Sequence, residues 1–344
     1  MSRMMLVTAG AVIALTIPAL AHCSEHNQEA TTKMVMEMIV DLGGHDAVEK
    51  NSGKTMRCTF GGSRKVSVVR QARTTTLTGD YRNCREKGST RDGLYEIVLD
   101  GDEIVSTTSK RTINGELFDA AKQGGAAKVR ELIKAGADLN YSESLPTTDG
   151  GAIEGLTPLM AATMAGSLET VKVLVASGAW VNYLNGMVLN AFWIAAHNGN
   201  LEIVKYLARR GAYINNSNRE DVTPLMAAAM NGHSGVVKFL VGAKAKINAV
   251  HKEGDSALMF ALAGKHTEIA RFLIDAGADI NIRNKYGVTA LIIAAAEGNE
   301  EIARTLVAKK ADTAAMSTDG KTALDVARAK GLTGIVNLLE KAAN

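Results

Sequence analysis

The sequence predicts a mainly α fold: a solenoid of about seven helical units, preceded by a small α+β domain of one helix and an antiparallel meander. Two observations carry this. Thr157, Asn190, Thr223, Ser256, Thr289 and Thr322 fall at a constant step of 33 residues, and each opens the same short phrase. A period of that length marks a stack of supersecondary units, each burying its apolar face only against its neighbours. The stretch from Lys54 to Arg111 shows the opposite texture, with short runs rich in Val, Ile, Thr and Tyr punctuated by turn residues, so a separate domain stands in front of the stack.

The first residues read MSRMMLVTAGAVIALTIPALA, with Arg3 as a positive n-region, Leu6 to Ile17 as an apolar h-region and Ala19-Leu20-Ala21 as a small-x-small cleavage site. Residues 1–21 therefore read as a secretory signal peptide, the apolar run falling short of the ~18 to 20 residues needed to span a membrane. No integral span is expected once it is cleaved. Leu20-Ala21-His22-Cys23 resembles a bacterial lipobox, but His22 stands where a small residue precedes the lipidated cysteine. Cleavage after Ala21 is favoured over a lipid anchor at Cys23, and the expected location is periplasmic.

The domain spanning residues 28–113 begins with a helix, because Val35, Met38, Ile39 and Leu42 recur at three and four before Gly43-Gly44 stops the pattern. Strands are expected at Thr55 to Phe60, Lys65 to Arg70, Thr74 to Leu77, Tyr81 to Arg85, Leu94 to Leu99 and Glu103 to Thr107. Gly61-Gly62, Thr78-Gly79-Asp80 and Asp100-Gly101 supply the turns. Export makes a disulfide between Cys58 and Cys84 the favoured state of the two remaining cysteines. Nine Lys and Arg, among them Arg64, Lys65 and Arg70, make this domain basic; they are expected on the solvent face of the meander. No family is recognised here.

In the repeats each position has a mechanical reason. Thr157 and Thr223 cap a first helix, and Pro158 and Pro224 occupy its first turn, where no amide hydrogen is required. Leu159, Phe192, Leu225, Leu258, Leu291 and Leu324 face the core, and pairs such as Ala161-Ala162 and Ala228-Ala229 let helices approach closely. Second helices such as Ile203-Val204-Lys205-Tyr206-Leu207 carry apolar residues on one face. Asn140, Asn182, Asn215, Asn248 and Asn281 then lead into a projecting turn, or finger.

The phrases TPLMAA from Thr157, TPLMAA from Thr223 and TALIIA from Thr289 are similar to the core of the ankyrin repeat, and Glu116 to Asn140 resembles an N-terminal capping copy. The resemblance covers residues 116–344. It implies recognition of a protein partner through the fingers and the concave face, without catalysis.

Three departures from that pattern stand out. Lys265 occupies a helix-ending position held elsewhere by glycine, which costs about 1 kcal/mol or shifts the helix end. The connection from Asn140 to Thr157 is longer than the others, which implies an extended first finger. The stretch from Trp180 to Trp193 is apolar where other fingers are polar, and Tyr183, Leu184, Met187 and Trp193 are the expected partner-binding residues, with Phe192 and Leu189 in the core.

Catalytic and metal sites are not expected. Gly320-Lys321-Thr322 lacks the first glycine of a phosphate-binding loop, Gly61-Gly62-Ser63-Arg64-Lys65 lacks the closing glycine of a nucleophile elbow, and the seven histidines are scattered. No cofactor is implied, and a net charge of +3 gives no case for nucleic acid. The expected function is non-enzymatic binding of a protein in the bacterial envelope, in its most specific form as an immunity protein that inhibits a secreted effector. The alternative is an enzyme in residues 28–113, with the solenoid as its targeting module.

Overall fold

The computed structural model describes residues 113–146 and 152–343, with side chains over 113–145 and 153–342; ahead of residue 113 it describes strand backbone alone. Ala19, Ala21, Cys23, the helix expected around Val35 to Leu42, and Cys58 lie outside the described residues. So do the cleavage site, the lipid anchor and the Cys58–Cys84 disulfide that rest on them. The chain divides into two compact units, residues 1–120 with 127–158, and residues 121–126 with 159–344.

In the first unit, Ser67–Gln71, Thr74–Glu86, Ser89–Asp100 and Glu103–Arg111 pair in succession as an antiparallel meander. The expected turn at Thr78-Gly79-Asp80 is absent. Strand Thr74–Glu86 runs straight through it, since Thr78, Gly79 and Asp80 pair with Glu96, Tyr95 and Leu94, and the irregularity falls later, between Tyr81 and Cys84. A long partner strand outweighs local turn propensity. The enlarged first finger is a hairpin of Glu143–Pro146 and Ala152–Leu156. It joins the same sheet through Ser144 opposite Thr90, beyond the point where Gly93 pairs with Arg111.

Fourteen helices follow among the described residues. They are α1 (Ile113–Lys122), α2 (Ala126–Lys134), α3 (Pro158–Met164), α4 (Leu168–Ala176), α5 (Ala191–His197), α6 (Leu201–Arg209) and α7 (Pro224–Met230). The rest are α8 (Ser234–Gly242), α9 (Ala257–Ala263), α10 (Thr267–Asp275), α11 (Ala290–Ala296), α12 (Glu300–Ala308), α13 (Ala323–Ala329) and α14 (Thr333–Ala343). A seven-residue helix followed by a nine-residue helix recurs from α3 to α12. Such helices are too short to persist alone and depend on packing.

Short first helices start where the phrase begins. Asn190, Thr223, Ser256, Thr289 and Thr322 each accept, through the side-chain oxygen, the amide of the third residue on. Leu159, Phe192, Leu225, Leu258 and Leu291 are buried, each contributing about 2 kcal/mol of transfer energy. Leu324, the equivalent residue of the last described copy, is half-buried. Ala161, Ala162, Ala228 and Ala229 are buried and let backbones come close.

Helix α9 keeps the length of its siblings despite Lys265. The backbone there takes φ +61°, the left-handed value that Gly232 and Gly298 adopt at the same place in their units. The departure is absorbed as strain, and the helix end does not move.

Candidate functional site

The fingers of the second unit are held together by a repeated side-chain device. The Asn182 Oδ1 accepts the Tyr213 amide at 3.0 Å, and Asn215, Asn248 and Asn281 do the same for Lys246, Asp279 and Asp312 at 2.8–2.9 Å. Each asparagine at a finger's entrance therefore fixes the entrance of the next finger. Asn182 also donates through Nδ2 to the Gly211 carbonyl at 3.0 Å.

A second ladder runs between finger tips. Amides of Lys252, Lys285 and Thr318 donate to the carbonyls of Glu220, Glu253 and Tyr286 at 2.8–3.0 Å, one finger earlier. Two of these steps carry an ion pair as well, Lys252 with Glu220 and Lys285 with Glu253. Among the described residues the first step is missing, since no bond joins Arg219 to Met187. Methionine occupies the place of the carboxylate, and no charge draws Arg219 toward it.

That first finger of the second unit, residues 181 to 190, departs in its interior too. Val188 stands at φ +61° where Gly254, Gly287 and Gly320 stand in later fingers. A β-branched side chain in that region is a strained outlier of roughly 1–2 kcal/mol. Asn185 accepts the Met187 and Leu189 amides through Oδ1, as Asn218 does for Glu220 and Val222. Yet the Nδ2 atoms of Asn185 and Asn190 are buried with no hydrogen-bond partner. Each orphaned donor costs on the order of 1–3 kcal/mol.

The four expected contact residues separate into kinds. Leu184 and Met187 are 41% and 44% exposed, large apolar side chains on a projecting turn. Tyr183 is half-buried and stacks on Trp180, ring centroids 6.3 Å apart at 28°. Trp193 is half-buried on α5; its indole N–H donates to the Val222 carbonyl at 2.8 Å and its ring lies against His197 at 5.1 Å. Phe192 and Leu189 are buried, as expected.

Two aromatic residues missed by the sequence reading complete the surface. Trp180 and Tyr213, 61% and 63% exposed, occupy equivalent positions in successive fingers. Their counterparts are Lys246, Asp279 and Asp312, so comparing copies column by column would have found them.

His197, His233 and Asn231 meet at the end of α5. His233 Nε2 and Asn231 Nδ2 lie 2.9 Å from the His197 carbonyl, and Asn231 Nδ2 lies 3.0 Å from His197 Nδ1. Burial first, then the neighbouring His233, lowers the His197 pKa below its ordinary value. These bonds close a helix end and bring no nucleophile or carboxylate to the imidazoles. Among the described residues no three His, Cys, Asp or Glu converge as metal ligands, and no helix is long and apolar enough to cross a membrane.

Stacked helix pairs with projecting fingers and an aromatic surface define a recognition scaffold. The family model of ankyrin repeats matches residues 117–218, 192–284 and 278–344, and the chain belongs to the ankyrin-repeat family. Its repeats make it a protein-interaction module of a typically non-catalytic kind. A search of curated proteins finds no match.

Proposed function

We propose that the chain is exported to the bacterial envelope and there binds a protein partner through its ankyrin fingers, inhibiting a secreted effector as an immunity protein. The observation that carries the binding surface is the finger from Val181 to Asn190. It alone among the fingers of the second unit combines exposed Leu184 and Met187, a strained Val188 and two orphaned amides. Exposed apolar side chains on a rigid scaffold are where binding energy concentrates, and strain and orphaned donors gather where a conformation serves something other than stability. Export rests on Arg3, the apolar run from Leu6 to Ile17 and the Ala19-Leu20-Ala21 cleavage signal.

The test is affinity capture with crosslinking from envelope extracts, comparing the wild type with Leu184→Ser/Met187→Glu. Ser217 and Glu220 hold these places in the next finger, so the variant keeps the fold. Loss of one specific protein from the captured set, together with loss of protection against an effector, is the expected result. Recovery of housekeeping proteins alone, equally by both forms and without protection, overturns the reading.

A further inference from the structure

We propose that the second to fourth fingers form a docking surface for an acidic segment of the partner protein, with Trp180 and Tyr213 taking its apolar side chains and Arg209, Arg210, Lys244 and Lys246 taking its carboxylates. This deepens the binding reading above and rests on it. Trp180, Tyr213 and Lys246 hold equivalent positions at the entrances of three successive fingers, aligned by the Asn182 and Asn215 bonds. Arg209 and Arg210, the last residue and the C-cap of α6, lie four and three residues before Tyr213. Lys244 precedes Lys246 by two. The aromatic pair and the four cations therefore share one edge of the solenoid, and all six are exposed.

The charge pattern along this edge points to the occupant. From Leu201 to Lys252 the chain carries eight Lys and Arg against three carboxylates, Glu202, Glu220 and Asp221, and two of the cations are paired, Lys205 with Glu202 and Lys252 with Glu220. Further along, cations find partners from one unit to the next: Arg271 with Glu301, Lys265 with Glu297, and Lys309 with Asp275. Asp275 is the counterpart of Arg209, and Asp279 and Asp312 are the counterparts of Lys246. At two positions of this edge, those of Arg209 and Lys246, a later unit places a carboxylate where this edge places a cation. Arg209, Arg210, Lys244 and Lys246 have no carboxylate within 4.0 Å among the described residues; Arg210 instead lies over the Tyr206 ring at 5.2 Å. Such excess positive charge is complemented by a partner's carboxylates, and arginine beside exposed tryptophan and tyrosine is the composition of a binding hot spot.

Arg209→Asp/Lys246→Asp tests the charge, and Trp180→Asp/Tyr213→Asp tests the aromatic pair; each introduces the residue that an equivalent position already carries, so the fold tolerates both. The probe is a fluorescein-labelled peptide of alternating Glu and Leu, followed by anisotropy on the full chain, with a Lys and Leu peptide as control. Expected is binding of the acidic peptide alone, weakened about tenfold by either variant and weakened again by added salt. Equal binding to wild type and to the charge variant overturns the proposal, as does no binding at all. Binding to phosphatidylglycerol vesicles without peptide binding reassigns the surface to a membrane. Self-association lost in the charge variant, seen by sedimentation, reassigns it to a second copy of this chain. A captured partner sensitive to Leu184→Ser/Met187→Glu but indifferent to Arg209→Asp/Lys246→Asp leaves the binding reading standing and removes only this one.

Discussion

Trp193 on α5 is tied to Val222 at the end of the following finger: its indole N–H donates to the Val222 backbone carbonyl at 2.8 Å. The bond replaces, on the helix side, the tip-to-tip bond that residues 181 to 190 lack. Trp193→Phe keeps most of the packing but removes one of the two bonds to this carbonyl, which still accepts the Asn218 amide at 3.1 Å, so a loss of about 1 kcal/mol is expected. Trp193→Ala should lose about 2–3 kcal/mol, since a half-buried indole leaves a partial cavity. Urea unfolding of both variants measures this; unchanged midpoints would show that the indole contributes nothing to the joint. Trp180→Ala, at an exposed site, should leave the midpoint in place.

The finger that carries the exposed apolar residues should be easy to stabilise. Asn190→Thr keeps the cap oxygen that holds the Trp193 amide at 2.8 Å and removes the orphaned Nδ2. Thr289 caps its helix with nearly the same backbone, φ −114° against −120°. A gain of about 1 kcal/mol is expected. Val188→Gly relieves roughly 1–2 kcal/mol of left-handed strain, against about 0.5–1 kcal/mol for the freer unfolded chain. The net gain is about 0.5 kcal/mol, read as a rise in thermal midpoint. A fall in either variant would contradict the account given for these positions.

The repeats were legible because their signals are local. A cap lies three residues from the amide it binds, and a core leucine lies at a fixed place in the phrase. Trp193 was not legible in the same way, since its role depends on the Val222 carbonyl 29 residues away. Its hydrophobicity pointed to contact, and its indole N–H found a neighbouring finger. Val188 and Trp180 are within reach of the sequence, because Gly254 and Asp279 stand at their positions in other copies. The turn expected at Thr78-Gly79-Asp80 does not form, because pairing with strand Ser89–Asp100 overrides the local preference of these residues.

Lys265 gives a direct measure of what a left-handed side chain costs in this fold. Lys265→Gly removes strain at φ +61° and also an exposed ion pair with Glu297 at 3.1 Å. An exposed pair of this kind contributes roughly 0–1 kcal/mol, the freer unfolded chain costs roughly 0.5–1 kcal/mol, and the strain amounts to roughly 1–2 kcal/mol. Strain narrowly prevails, and the variant should be more stable by a few tenths of a kcal/mol by urea denaturation. Glu297→Gln isolates the ion pair; if that variant alone loses more than Lys265→Gly gains, the ordering of the two effects is reversed.

His197 should make stability fall in mild acid. Its ring is held between Trp193 and Asn231, and the bond from Asn231 Nδ2 at 3.0 Å requires an unprotonated Nδ1. Burial, and then His233, lower its pKa in the folded chain, while an unfolded histidine keeps a value of about 6.5. Above that value both states are neutral and the full contribution of the site is present. As pH falls below it, the unfolded chain takes up the proton first, so stability declines until the lower folded value is passed. His197→Asn removes this proton uptake while keeping a polar group beside Asn231. Urea midpoints at pH 7.5, 6.5 and 5.5 should drop for the wild type more steeply than for the variant. Parallel drops would place the pH dependence on groups other than His197.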